Sequence, residues 1–60
     1  MRFRIIVNYD EDSGLYWGKV AEVEGVYSQG ETIKDLLNNI KEAIRLHLDI
    51  SGEIEVIPVQ

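Results

Sequence analysis

Apolar and polar positions alternate from the second residue onward, and the period changes twice along the chain. Residues 2–9 read as a strand, with Phe3, Ile5, Val7 and Tyr9 on one face and Arg2, Arg4, Ile6 and Asn8 on the other. Asp10-Glu11-Asp12-Ser13-Gly14 is a turn, because short polar side chains and glycine accept turn dihedrals. A second strand runs over about residues 15–23, with Tyr16, Gly18 and Val20 alternating with Trp17, Lys19 and Ala21. The two strands form an antiparallel hairpin with a five-residue loop. Gly25 permits another reversal, and residues 26–29 give a short third strand. The period then lengthens. Ile33, Leu36, Leu37, Ile40, Ala43, Ile44, His47 and Leu48 recur at spacings of three and four, which is one apolar stripe of a helix about sixteen residues long. Thr32 caps its start, Asp35 makes a near capping box, and Gly52 is the expected terminator. Residues 54–59 form a last strand, with Pro58 near its end, where a missing donor is tolerated.

The predicted class is therefore α+β, in the order β-β-β-α-β, with one helix packed on one face of a sheet. One helix covers one face only. Ile6 and Trp17 fall on the opposite face, and the last strand is apolar on both sides, Ile54 and Val56 alternating with Ile57 and Val59. A patch containing Ile6, Trp17, Ile57 and Val59 is too apolar to leave wet, and it predicts a homo-oligomer joined through that face or its edge.

Length supports the same expectation. A chain of 60 residues makes one small domain with marginal burial, and such folds lean on disulfides, a metal or a second subunit. There is no cysteine, which removes disulfides and thiolate metal sites and leaves association. The charge is acidic, eleven Asp and Glu against six Lys and Arg, for a net −5. That argues against direct nucleic-acid binding, which needs a basic stripe, and fits a basic partner or simple solubility. No apolar run reaches the length of a membrane span, and the start passes directly into the strand pattern without a signal peptide, so a cytoplasmic, membrane-free location is expected.

Enzyme chemistry finds no foothold. His47 is the single histidine and falls in the helix stripe, where it reads as a residue at the border of the core. Ser13, Ser28 and Ser51 lie in turn or cap contexts without a nucleophile elbow. Gly25 and Gly30 form no phosphate-cradling motif, and Glu31 and Asp35 already place negative charge at the helix start. Asp10, Glu11 and Asp12 are consecutive, point in different directions and lack calcium-loop spacing, so they read as a solvated turn. Phe3, Tyr9, Tyr16 and Tyr27 lack the basic surroundings of a base-stacking platform. No catalytic residue, metal ligand or cofactor is assigned.

Several segments together resemble the HicB-like antitoxin domain: Phe3-Arg4-Ile5-Ile6, Tyr9-Asp10-Glu11-Asp12, Gly14-Leu15-Tyr16-Trp17-Gly18, Tyr27-Ser28-Gln29-Gly30-Glu31-Thr32 and Asn39-Ile40-Lys41-Glu42-Ala43-Ile44. The similarity spans about residues 2–50. It implies a trimmed, degenerate ribonuclease H fold with sheet order 3-2-1-4, and a partner that is a small basic RNA-cleaving toxin of the HicA type. Ile5, Ile6 and Val7 stand where the ribonuclease H fold requires a metal-binding carboxylate, and the second strand offers only Lys19 and Glu22 nearby. Relatives commonly carry a C-terminal DNA-binding segment. This sequence reaches Gln60 without one, so autoregulatory DNA binding is not expected. The turn Glu22-Val23-Glu24-Gly25-Val26 replaces the Leu-Pro-Gly-Cys-like turn of the family. Charge and loop position nominate Asp10, Glu11, Asp12, Glu22 and Glu24 as the partner-binding acids. The alternative is a self-assembling structural or ligand-sensing domain without a toxin.

Overall fold

The computed structural model describes residues 1–59. Strands β1 (Arg2–Asp10), β2 (Leu15–Val20) and β3 (Tyr27–Gly30) form an antiparallel meander. Helix α1 (Ile33–Leu48) then carries the chain across the sheet to β4 (Glu55–Val59), which pairs in parallel with β1. The sheet order is β3-β2-β1-β4, as the resemblance implies, within the α+β element order that the pattern predicts.

Alternation along the strands makes the core. Phe3, Ile5 and Val7 of β1, with Val20, Val26 and Ile54, meet Leu36, Ile40 and Ile44 of α1. The helix begins where Thr32 Oγ1 accepts the Asp35 backbone N–H (3.0 Å), occupying one of the donors that a first turn leaves unpaired. Two glycines let it sit close. A Cβ on Gly18 would lie 2.9 Å from Ile5 Cγ2 and 3.2 Å from Leu36 Cδ2; one on Gly30 would lie 2.5 Å from the Leu36 nitrogen. The helix is therefore seated over β3 and β2 and makes less contact with β4.

Several boundaries differ from the pattern reading. β1 continues to Asp10, which pairs with Leu15, so the hairpin loop has four residues. β2 stops at Val20 and not Val23, because after Ala21 donates to the Arg4 carbonyl (2.8 Å) the Arg4 N–H is taken by the Glu22 carboxylate. β3 runs one residue later than expected and β4 starts one residue later, although Ile54 is still buried. The helix ends at Asp49, not Gly52: Asp49 adopts the left-handed conformation (φ 54°, ψ 49°) and its N–H bonds to the Arg45 carbonyl. Gly52 serves instead as an acceptor for Arg45 Nη1 (2.7 Å). His47 is exposed, as are Leu46 and Leu48, because burial along the helix stops at Ile44. Tyr9 has the inward register but is exposed at the far end of β1, where it packs on its cross-strand partner Tyr16 with ring centroids 4.9 Å apart.

Ile40→Ala should cost about 2–5 kcal/mol, a large share of the roughly 3–9 kcal/mol available to a chain of this length, and Gly30→Ala should lower the melting temperature while Gly52→Ala, whose Cβ meets nothing within 4 Å, leaves it unchanged or slightly raised. Asp49→Gly should raise stability by about 1 kcal/mol in thermal or urea melts, since glycine carries no penalty in the left-handed region.

Candidate functional site

The five candidate acids do not form one surface. Asp10, Glu11 and Asp12 lie at the hairpin end of β2, and Glu22 and Glu24 follow its other end; six residues of strand set the two groups roughly 20 Å apart. Two of the five are occupied internally. Asp10 accepts the Asp12 backbone N–H at Oδ1 (3.0 Å) and the Ser13 hydroxyl at Oδ2 (3.1 Å), while its carbonyl accepts from Gly14 N–H (2.8 Å). It organises the turn. Glu22 bridges Arg4, accepting its backbone N–H at Oε1 (2.9 Å) and its guanidinium Nε at Oε2 (2.7 Å). That guanidinium bond, followed by the backbone one, holds the Glu22 carboxyl below its usual range. Glu11, Asp12 and Glu24 project into solvent from turns.

The sheet's second face is built differently. Cross-strand partners share a face, and the register places Val59, Ile6, Lys19 and Tyr27 in one row across all four strands. Trp17 stands in the next row beside Asn8 and Gln29, and Ile57 flanks Arg4. All four nominated apolar residues thus occupy the face away from α1. Ile6, Trp17 and Val59 are 36%, 42% and 41% exposed, and Ile57 is half-buried. Tyr27, at 71% exposure, belongs to the same patch although the pattern reading did not include it. Its place opposite Lys19 appears only once the register of β3 is known.

Charge on this face is balanced. Arg2 pairs with Glu55 at 2.8 Å and Arg4 with Glu22 at 2.7 Å, while Lys19 and Asp10 lie on the same side. Neither sheet edge presents a full ladder. Glu55 N–H donates to the Met1 carbonyl (2.8 Å), so alternation along β4 turns the Pro58 nitrogen outward, where it offers no hydrogen. On the other edge, the Gln29 carbonyl is already taken by Asn39 Nδ2 (2.8 Å).

Two concavities flank the helix. The displacement of α1 toward β3 leaves an open groove of about 920 Å³ beside β4, floored by Ile33, Leu37, Ile54 and Val56 and rimmed by charges of both signs. A shallower one of about 580 Å³ at the helix start includes Glu31 and Asp35, and these acids oppose anion binding there. Among the described residues no three His, Asp or Glu side chains converge as a metal site, and no helix is long and apolar enough to cross a membrane.

A family model described as UPF0150-like matches residues 5–55. The chain is 46% identical over 54 residues to a UPF0150 protein of Synechocystis, covering 90% of this chain and 72% of that protein. It is 36% identical over 55 residues to one of Archaeoglobus fulgidus (92% and 78% covered) and 43% identical over 49 residues to one of Thermoplasma acidophilum (82% and 70%). No solved structure matches.

The Glu22 bonds make a pH prediction. A carboxyl whose folded value is depressed contributes stability that is complete above its unfolded value, near 4.5, and is lost as pH falls through the folded value. Melting temperature should therefore fall more steeply below about pH 4.5 in the native chain than in Glu22→Gln, and equal slopes would remove the linkage.

Proposed function

We propose that this chain, which belongs to the UPF0150-like family, is a non-catalytic binding domain that neutralises a small basic ribonuclease of the HicA type. The supporting observation is where its charge lies. On the sheet face Arg2 and Arg4 are paired with Glu55 and Glu22, and Lys19 offsets Asp10 in formal charge only, so the net −5 resides on the hairpin tip, the β2–β3 turn and the helix side. Glu11, Asp12 and Glu24 are the nominated acids whose carboxylates make no internal bond among those described, and they are available to a cationic surface. Such acids act mainly on encounter rate, drawing a basic protein in and excluding its RNA substrate. The apolar run Ile5-Ile6-Val7 in β1 agrees with a ribonuclease H relative that has given up its metal site.

The second reading, a self-assembling structural or ligand-sensing domain without a toxin, is favoured by the apolar sheet face. Mixing separates the two. The native chain should bind a HicA-type ribonuclease at micromolar concentration in low salt and suppress its RNA cleavage. The double variant Glu11→Lys, Asp12→Lys should slow association roughly tenfold, with the difference shrinking as salt is raised. No complex at low salt, measured by calorimetry, would sink the antitoxin reading.

A further inference from the structure

We infer that the face carrying Ile6, Trp17, Tyr27, Ile57 and Val59 packs against the same face of a second copy of this chain, sheet on sheet. This deepens the self-assembling reading and does not depend on toxin binding.

Three features favour a like copy. The first is apolar continuity. The row Val59, Ile6, Lys19, Tyr27 crosses all four strands, and Trp17 and Ile57 widen it on either side. Lys19 is the one charged residue in the row, and an aliphatic stem of its length can cover apolar neighbours while the ammonium stays in water. The second is charge. Copies bearing −5 each repel, yet this face carries as many basic as acidic side chains, with Arg2–Glu55 and Arg4–Glu22 closed within the chain at 2.8 and 2.7 Å. A strongly basic partner gains nothing from a neutral face, and a second copy loses nothing. The third is the state of the edges. With Pro58 turned outward on β4 and Asn39 capping Gln29 on β3, a continuous sheet across two chains lacks regular donors and acceptors, and face packing does not need them.

The area fits a weak, transient dimer and no tighter one. β1 runs about 30 Å and four strands spread roughly 19 Å, so the projected face is on the order of 400 Å² even with shorter neighbours, and more with side-chain relief. Two such faces approach the roughly 1,000 Å² at the small end of specific interfaces, which corresponds to a reversible dimer.

Trp17 is the single tryptophan, so its fluorescence reports on this face alone. Between about 1 µM and 200 µM of the pure chain, its emission should shift to shorter wavelength in step with dimer formation seen by sedimentation. Ile6→Glu should weaken the dimer at least about tenfold by burying an unpaired charge, whereas Leu46→Glu, on the helix side at 76% exposure, should not. Circular dichroism checks folding, and Val59→Lys at the strand end provides a second face variant should Ile6→Glu fail to fold. A chain that stays monomeric with unshifted emission overturns the proposal, even if a foreign partner later covers the face. A dimer indifferent to the folded face variants overturns it as well. Neither result bears on toxin binding, which is read in a separate mixture.

Discussion

One helix has to serve a sheet that carries apolar side chains on both faces. Close approach at Gly18 and Gly30 fixes where that helix sits, because any side chain at those positions would overlap Ile5, Leu36 or the first turn of α1. Seated there, α1 seals Ile5, Val20 and Val26 from water but leans away from β4. The groove beside β4 and the uncovered outer face are both consequences of that seating. Burial on the covered side is the main source of stability, since a chain of this size has little other reserve. The surfaces left over are the ones open to a partner.

The sheet's local polarity is arranged to match. Backbone groups at the ends of β2 are satisfied by side chains: Asp10 closes the hairpin turn, and Glu22 takes the Arg4 N–H where the ladder stops. Acids that look equivalent along the chain therefore divide into those that build the fold and those that face solvent. Glu11, Asp12 and Glu24 are in the second group, which makes them better candidates for a cationic partner than Asp10 or Glu22.

Alternation made the faces legible. Phe3, Ile5 and Val7 point to the helix while Ile6, Trp17 and Val59 point away, and period-three-and-four spacing with Thr32 located α1. What escaped was set by contacts distant in the chain. The end of β2 depends on a bond between residues eighteen apart, Arg4 and Glu22, that no local pattern announces. Gly52 was the obvious helix stop, but Asp49 took the left-handed position three residues earlier. His47 and Tyr9 keep the right period yet lie exposed beyond the ends of the buried stripe, because periodicity gives direction and not what lies opposite. Among the nominated surface residues, the apolar set followed from alternation alone. The private bonds of Asp10 and Glu22 did not.

The two surface ion pairs help decide between the sheet face's uses. Exposed pairs add little to stability, so Arg2–Glu55 and Arg4–Glu22 are weak explanations of the fold. Their effect on the field is larger. At physiological salt, charges more than about 8 Å apart are largely screened, and the acids on the outer side of a helix roughly 10 Å thick lie beyond that range from the far face of the sheet. Charges on the face itself would not be screened. Matching each arginine there with its own glutamate removes the short-range repulsion that would keep two acidic chains apart, while leaving the distant acids to attract a cationic protein. A molecule with one neutral apolar face and one acidic side can use both at once.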